Sequence, residues 1–515
     1  MSFTDLDLTT CDREKIHLIS SVQGHGAFLG VHKLDQKIRN VSSNLATFFG
    51  KGTDSEVYIG KKLNELLPYE LSLKIMKKVK ELEKGPQSLE MVFDGTKKIE
   101  VHIFSAAPEL AGVEFEFHEA TDENPSSGLN DFLEEMQRAS GLEEVSRVAC
   151  QAIRFLTGFD RVMIYRFFPP TMYGEVIAED RIASAQTFLR HRFPATDIPK
   201  PARDLYLKNK VRYIHDSHAE NFEIRPVGYD KKIPLDMSDS RLRSVSLIHI
   251  EYLKNMGVRG SMSVAIIVDG SLWGIISCHH LEAQFVSQAN RKLCLQVGNT
   301  LALMAPLLEI NSVFGLENSF YKDLHSFFDE IKLESDPVEY IFRKADKLLN
   351  LFSSQGVALV TPNKVSVAGI TPRSQDIRNI ADHLKKEMHG DILDTNQLAS
   401  ENDVNFTFKE QASGILAVKV SPTDDSILFF MRPEKLESVL WGGDPRKNLE
   451  ERNYNGKINP RASFETWTEV VKGTSLPWRN FEIEGLKQFR NLVFDALVRK
   501  ELLIGELHER LKAKH

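Results

Sequence analysis

Three clusters of side chains in this chain have the types and spacing to do chemistry. In Phe193-Pro194-Ala195-Thr196-Asp197-Ile198-Pro199 a carboxylate sits between two prolines, which leave the backbone few conformations. Such a rigid loop can aim Asp197 and its adjacent carbonyl at a ligand. The stretch RLRSVSLIHIEY at 241–252 places Arg243, Ser246, His249 and Tyr252 at near-helical intervals of three. A stripe of cation, hydroxyl and imidazole of this kind suits an acidic, ring-containing ligand. The third cluster is a hairpin on which Trp273, Ile275, Ser277 and His279 share one face, because alternate residues of a strand point the same way. Each cluster taken alone also fits an ordinary role: a loop carboxylate, a solvated helix face, a histidine at a strand end.

Other signatures are missing or incomplete. The chain has no G-x-x-x-x-G-K-[ST] phosphate loop, no H-E-x-x-H and no G-x-S-x-G elbow. Gly442-Gly443-Asp444-Pro445 begins like the signature of enzymes that make cyclic dinucleotides, but the proline ends the match. Cys278, His279 and His280 are adjacent on a strand, so their side chains alternate between faces, and no second Cys or His pair at ligand spacing completes a metal site.

The elements that must position these clusters belong to a long chain of ordinary globular composition. Its 515 residues suggest three or four domains at roughly 150 residues each. A formal net charge of −7 argues against broad electrostatic nucleic-acid binding. Four cysteines, Cys11, Cys150, Cys278 and Cys294, are too few for a disulfide scaffold and suit a reducing cytoplasm. The acidic N-terminus is no signal peptide, and no uninterrupted apolar run reaches the roughly 18 residues of a spanning helix, so no membrane contact is expected.

Along the chain, 26–31 and 99–106 read as strands and 74–84 as an exposed helix. The turn-rich run 122–128 reads as a linker. After it, 129–157 has helical periodicity, 162–168 is a buried strand, and Asp269-Gly270 turns a hairpin between 263–268 and 271–278. From Ser287 the pattern is helical for a long way, with a kink expected at Pro306. Strands are expected at 414–420 and 426–431, and the irregular segment from about 432 to 479 reads as a functional arm. In the final helix Leu486, Phe489, Val493, Ala496, Lys500, Leu503 and Leu507 alternate in threes and fours, the seam of a parallel coiled coil or the inner face of a domain helix. That periodic helix runs on to the chain's end with no stop signal, so the molecule is expected to continue.

Taken together and in order, the motifs resemble a known family. DIP at 197–199, RSVSLIHIEYLKNMGVRGSMS at 243–263 and LWGIISCHH at 272–280 closely resemble the chromophore-binding GAF domain of phytochromes. TTCDREKIHLISSVQGHGAFLG at 9–30 is similar to the N-terminal segment of bacteriophytochromes, whose lone cysteine precedes a PAS domain. MRPEKLESVLWGGDP at 431–445 and NPRASFETW at 459–467 resemble the PHY-domain arm called the tongue. The resemblance covers the whole chain and implies an α+β, three-domain PAS-GAF-PHY core. Its antiparallel sheets would be flanked by helices, joined by long helices and extended by the tongue. The implied domains are 1–120 (PAS with the anchoring segment), 129–310 (GAF) and 315–515 (PHY, with the tongue at about 432–479 and a C-terminal coiled-coil signalling helix).

By that resemblance the chain is a red/far-red photoreceptor module that is not itself an enzyme. It would bind biliverdin through a thioether at Cys11, since Ile248 stands where other phytochromes carry their GAF cysteine. Asp197, through its carbonyl, and His249 would hold the pyrrole nitrogens, with Ile198 and Pro199 completing the motif. Arg212 and Arg243 would hold the propionates, assisted by Ser246, Ser261 and Ser263. His279 would contact the ring D carbonyl, and Tyr165, Phe193, Tyr206 and Tyr252 would box that ring. Asp197 would exchange between Arg461 and Ser463 as the tongue switches. A parallel homodimer through the GAF and PHY helices and a C-terminal output domain, a diguanylate cyclase or a histidine kinase, are implied as partners. Two positions depart from the family: Leu247 and Gly24 replace prolines. The competing reading is a GAF-type small-ligand sensor that has lost the pigment.

Overall fold

The computed structural model describes residues 15–93, 97–119, 128–229, 233–334, 336–398, 408–420, 425–445, 461 and 463–512. Cys11 and nearly all of the linker 122–128 lie outside them. The chain divides into two units, residues 1–309 with 440–467, and residues 310–439 with 468–515.

The first unit contains two sheets. One has seven strands in the order β1-β11-β3-β2-β6-β5-β4: β1 (Ser21–Gln23), β2 (Gly26–His32), β3 (Ile38–Ser42), β4 (Gln87–Val92), β5 (Lys97–Ala107), β6 (Leu110–Glu119) and, from far along the chain, β11 (Asn221–Arg225). β1 is held on both edges. β11 pairs with one side of it, while on the other Gln23 N donates to Leu242 O and Ser244 N donates to Ser21 O. Segment 221–244 thus grips the N-terminal strand and fixes Arg243 beside it. The helix Tyr69–Val79 packs Leu71, Ile75 and Met76 on this sheet, so the exposed helix expected at 74–84 is corrected: it starts earlier, stops at Val79 and has one buried face.

The second sheet has the order β10-β12-β13-β7-β8-β9-β19-β20. Its members are β7 (Arg161–Phe168), β8 (Tyr173–Arg181), β9 (His191–Phe193), β10 (Val211–Ile214), β12 (Gly260–Val268), β13 (Ser271–His280), β19 (Glu437–Gly442) and β20 (Thr466–Val471). The hairpin joining β12 and β13 turns where expected, with positive φ at both Asp269 (48°) and Gly270 (74°). One face of this sheet is the apolar core, where Val162, Ile164, Met262, Val264, Ile276 and Cys278 meet Ala149, Cys150, Ile153 and Cys294 from flanking helices. The expected helix over 129–157 is two helices, Leu129–Arg138 and Leu142–Thr157, with the break just before Gly141. Strands β19 and β20 lie in the segment expected to be irregular, and Leu440 and Trp441 run parallel to His191 and Arg192 of β9.

The helix Gln288–Lys332 continues on both sides of Pro306. By length and composition alone it is long and apolar enough to cross a membrane, although polar residues interrupt its apolar runs. Its Cys294, Val297, Leu301 and Ala305 are packed in the first unit's core.

The second unit is built on a five-stranded antiparallel sheet ordered β15-β14-β18-β17-β16, from β14 (Gly356–Val360), β15 (Val365–Gly369), β16 (Ile392–Thr395), β17 (Gly414–Lys419) and β18 (Ile427–Arg432). β18 is apolar on both faces: Leu428 and Phe430 meet one helical layer, Ile427, Phe429 and Met431 the other. Leu486, Phe489 and Val493 of the helix Asn480–Lys512 are buried in this unit's own core. This corrects the coiled-coil reading over the first part of the stripe, whose large apolar groups are consumed within the domain. The side chains of Ala496, Lys500, Leu503 and Leu507 lie outside the described residues.

Candidate functional site

The second sheet's other face forms one wall of the site. The register sets Ser261 and Arg161 opposite His279, Ser263 and Met163 opposite Ser277, and Tyr165 opposite Ile275, and paired residues share a face. Arg212 of β10 stands opposite Ser263 and so joins the same face. Polar groups therefore gather toward β10 and the end of β13, while the aromatic ones gather toward β8 and β9.

The facing wall is local in origin. Pro194 and Pro199 bracket a single 3-10 turn, Ala195–Asp197, and Pro199 caps the helix Lys200–Lys208. Arg203 secures the turn from below, donating to Ile198 O and, at 3.3 Å, to Ala195 O. The stripe expected on a helix from Arg243 onward is only partly helical: the helix is Leu247–Asn255, Ser246 is its N-cap, and Arg243 lies in the extended lead-in. Leu247 takes the first helical position, where proline is favoured because its missing N–H has no helical partner there; half-exposed leucine serves without one.

Arg212 and Arg243 lie together. Arg212 Nη2 donates to the carbonyls of Arg243 and, at 3.1 Å, Ser244, while its buried Nη1 has no hydrogen-bond partner among the described residues. Burial lowers the Arg212 guanidinium to about 10, so it is still a cation at neutral pH. Arg243 reaches Ile16 O. The Tyr206 hydroxyl is hydrogen-bonded to Ser263. His249 keeps an exposed surface, and the protein around it, then the Arg212 charge, lower its imidazole to about 4.

The aromatic end is a single cluster. Tyr165, Phe188, Phe193 and Phe464 are buried, with Tyr206, Tyr252, Ile198 and Met256 packed against them. Tyr165 and Phe193 have ring centroids 5.9 Å apart, and Tyr252 meets Phe464 edge to face at 4.8 Å. Gly174 makes room for the Tyr165 ring: a Cβ there would fall 1.9 Å from Cζ. His279, beside this cluster, is held between Arg161 Nη2 at 2.8 Å and Ser277 Oγ at 3.1 Å.

The arm closes over this end. Arg461 pairs with Asp197 (Nε to Oδ2 3.1 Å, Nη2 to Oδ1 3.3 Å), and its Nη1 donates to Gly442 O at 2.7 Å. The Tyr252 hydroxyl reaches Asp197 Oδ2 at 3.4 Å, and Asn255 donates to Arg461 O at 3.1 Å. Burial raises the Asp197 carboxyl, and Arg461 then pulls against that shift. Ser463 is exposed and its Oγ accepts from Glu465 N at 3.3 Å. The glycines of GGDP have a structural purpose here. A Cβ on Gly442 would strike the Phe193 ring at 2.2 Å, and Gly443 has φ +92° with Ser463 O 2.3 Å from where a Cβ would stand.

The structure thus brings together Tyr165, Phe193, Asp197, Ile198, Tyr206, Arg212, Arg243, Ser246, His249, Tyr252, Ser261, Ser263, His279 and Arg461, with Pro199 shaping the backbone. Sequence reasoning missed Arg161, Arg203, Phe464 and Gln186, whose side-chain amide donates to Phe464 O at 3.2 Å. Arg161 left one signal, a charged residue opening a dense apolar strand. Cys150, Cys278 and Cys294 are fully buried, and burial raises their thiols.

Comparison with known proteins agrees with this architecture. Three family descriptions match in sequence: PAS fold at 11–116, GAF domain at 141–304 and phytochrome region at 322–501. A bacteriophytochrome of Xanthomonas campestris is 31% identical over 95% of this chain and 78% of its own length. Cyanobacterial phytochrome A of Nostoc is 29% identical over 98% of this chain and 67% of its own. Among solved structures, a bacteriophytochrome from R. palustris superposes with TM-score 0.78 at 30% identity, covering 95% of this chain and 99% of that one. The photosensory core of a Stigmatella aurantiaca phytochrome gives 0.72 at 29%, covering 96% and 99%. Fold and site define an α+β photosensory module of PAS, GAF and PHY type. The chain belongs to the phytochrome family of light receptors.

Proposed function

We propose that this module senses red and far-red light by carrying biliverdin, joined through a thioether to Cys11. The observation that carries the reading is the buried, unpartnered Nη1 of Arg212, whose Nη2 holds the Arg243 carbonyl, on a sheet face whose other end is aromatic. A linear tetrapyrrole has that polarity: two propionates at one edge and apolar terminal rings. The donor set fits. Arg212 and Arg243, planar and permanently charged, suit carboxylates, and Ser246, Ser261 and Ser263 add hydroxyls nearby. Neutral His249 and the Asp197 turn would face the pyrrole nitrogens. Three cysteines are locked in the core and Ile248 precedes His249, which leaves Cys11 as the attachment residue.

When bound, biliverdin would supply a light-driven isomerisation of the bond before ring D. The chain's own part is to exclude water with Tyr165, Phe193 and Tyr252 and to hold the clasp between Asp197 and Arg461. Exchange of Asp197 from Arg461 to Ser463 would release the arm, since Ser463 is now exposed while Arg461 is buried. We further propose a parallel homodimer, supported by exposed Leu303, Leu307, Ile310 and Phe314 on the long helix. An output domain, diguanylate cyclase or histidine kinase, and a cytoplasmic setting complete the proposal; the bacterial relatives are longer than the span this chain matches.

The test is to mix the purified chain with biliverdin. A red-absorbing adduct that survives denaturation is expected, and Cys11→Ser should keep reversible binding but lose the denaturation-resistant pigment. No red band with either protein would overturn the reading.

A further inference from the structure

Arg161 is a buried cation with no ion-pair partner among the described residues, and only 5% of it is exposed. The carboxylates of Glu179 and Asp160 offset part of the burial of this charge without touching it, so its direct contacts must supply the rest. Nη1 donates to Gln186 O at 2.7 Å, the guanidinium lies 4.3 Å over the Phe188 ring, and Nη2 reaches Met256 Sδ at 3.7 Å. These contacts lock the group in one orientation. The remaining contact is Nη2 to His279 Nδ1, at 2.8 Å across the β7–β13 pairing.

A guanidinium can only donate. The Nδ1 atom of His279 must therefore accept, and the neutral ring must carry its proton on Nε2. We propose that Arg161 is the positioning residue that fixes His279 as its Nε2–H tautomer, so that the imidazole offers a donor, not an acceptor, to a carbonyl in the cleft. The identity of that carbonyl, a terminal ring of biliverdin, rests on the function proposed above; the tautomer does not. Ser277 Oγ lies 3.1 Å from Nε2, and a hydroxyl can donate or accept, so it can follow the imidazole but cannot dictate its tautomer. The adjacent positive charge also opposes a second proton on the ring, and burial with the Arg161 charge keeps the imidazole well below its ordinary pKa. Gln186, whose carbonyl holds Arg161, donates its side-chain amide to Phe464 O at 3.2 Å, so the same orienting chain reaches the arm.

The experiment is nitrogen NMR of histidine-labelled protein without pigment, the His279 signals being assigned by their loss in His279→Gln. Wild type and Ser277→Ala are both expected to show His279 purely as Nε2–H. Arg161→Met should show a mixture of tautomers, and Arg161→Lys, which restores a donor, should return most of the population to Nε2–H. A wild-type ring protonated on Nδ1, or a tautomer lost in Ser277→Ala but kept in Arg161→Met, would overturn the proposal. Should Arg161→Met fail to fold, Arg161→Gln, whose amide can turn either its oxygen or its nitrogen toward Nδ1, is expected to show the mixture instead, and a ring kept purely as Nε2–H when Arg161 is replaced by Met or Gln would overturn the proposal. Failure of biliverdin to bind a protein with the expected tautomer would remove the pigment reading and leave this assignment standing.

Discussion

Arg461 meets Asp197 with two contacts, 3.1 and 3.3 Å long, one to each carboxylate oxygen, and both side chains are only 3% exposed. The pair comes from residues far apart in sequence and fastens the arm over the aromatic end of the cleft. A carboxylate this enclosed is tolerable only beside its cation, which makes the pair a natural two-state contact.

Arg461→Ala should therefore be costly, by roughly 3–5 kcal/mol, because it strands the Asp197 charge. Since burial already raises the Asp197 carboxyl, its ionisation lowers stability as pH rises from the ordinary carboxylate range through the raised value, and the variant should steepen that loss. Adding Asp197→Asn should recover much of the stability. Calorimetry of the three proteins checks this; a single variant as stable as wild type would contradict it. In pigmented protein, the same Arg461→Ala change should impair the far-red-absorbing state.

Gly174→Ala should displace the Tyr165 ring, since the added Cβ would overlap it. Overpacking of this kind costs about 1–3 kcal/mol, and the displaced ring should change near-ultraviolet circular dichroism. An unchanged aromatic signal and unfolding midpoint would mean that the ring has another place to go.

His25 is buried beside Glu116, Arg291 and His215, and burial lowers its imidazole to about 4. A depressed histidine contributes stability that is present above about 6.5 and is lost as pH falls toward 4, here on the order of 3 kcal/mol. Glu114 opposes this over part of the same range, because burial raises its carboxyl to about 7. The comparison is thus wild type against His25→Asn, in which the Glu114 contribution cancels. Urea unfolding at pH 7 and 5 should show a steeper loss in wild type; equal losses would contradict the assignment.

Arg212→Ala should weaken reversible biliverdin binding roughly tenfold to a hundredfold, the scale of a hydrogen bond to a charged group. Titration in a Cys11→Ser background measures it without covalent trapping. Unchanged affinity would remove Arg212 from the site.

Much of this was legible in the sequence because it is local. The Asp269-Gly270 hairpin, the proline-bracketed Asp197 turn and the alternation that sets Ser277 and His279 on one face all follow from neighbouring residues. What stayed hidden is long-range. β11 joins a sheet formed about two hundred residues earlier, and Leu486, Phe489 and Val493 could equally have faced a partner or their own domain. Arg161 becomes visible only when the register sets it against His279, and the GGDP glycines only when Phe193 and Ser463 are seen beside them.

The central claim is tested most directly by difference spectroscopy of the biliverdin-loaded protein under alternating red and far-red light. The account predicts two reversible absorbing forms, with the exchange impaired in Arg461→Ala. A pigment that binds yet gives the same spectrum after either illumination would contradict it.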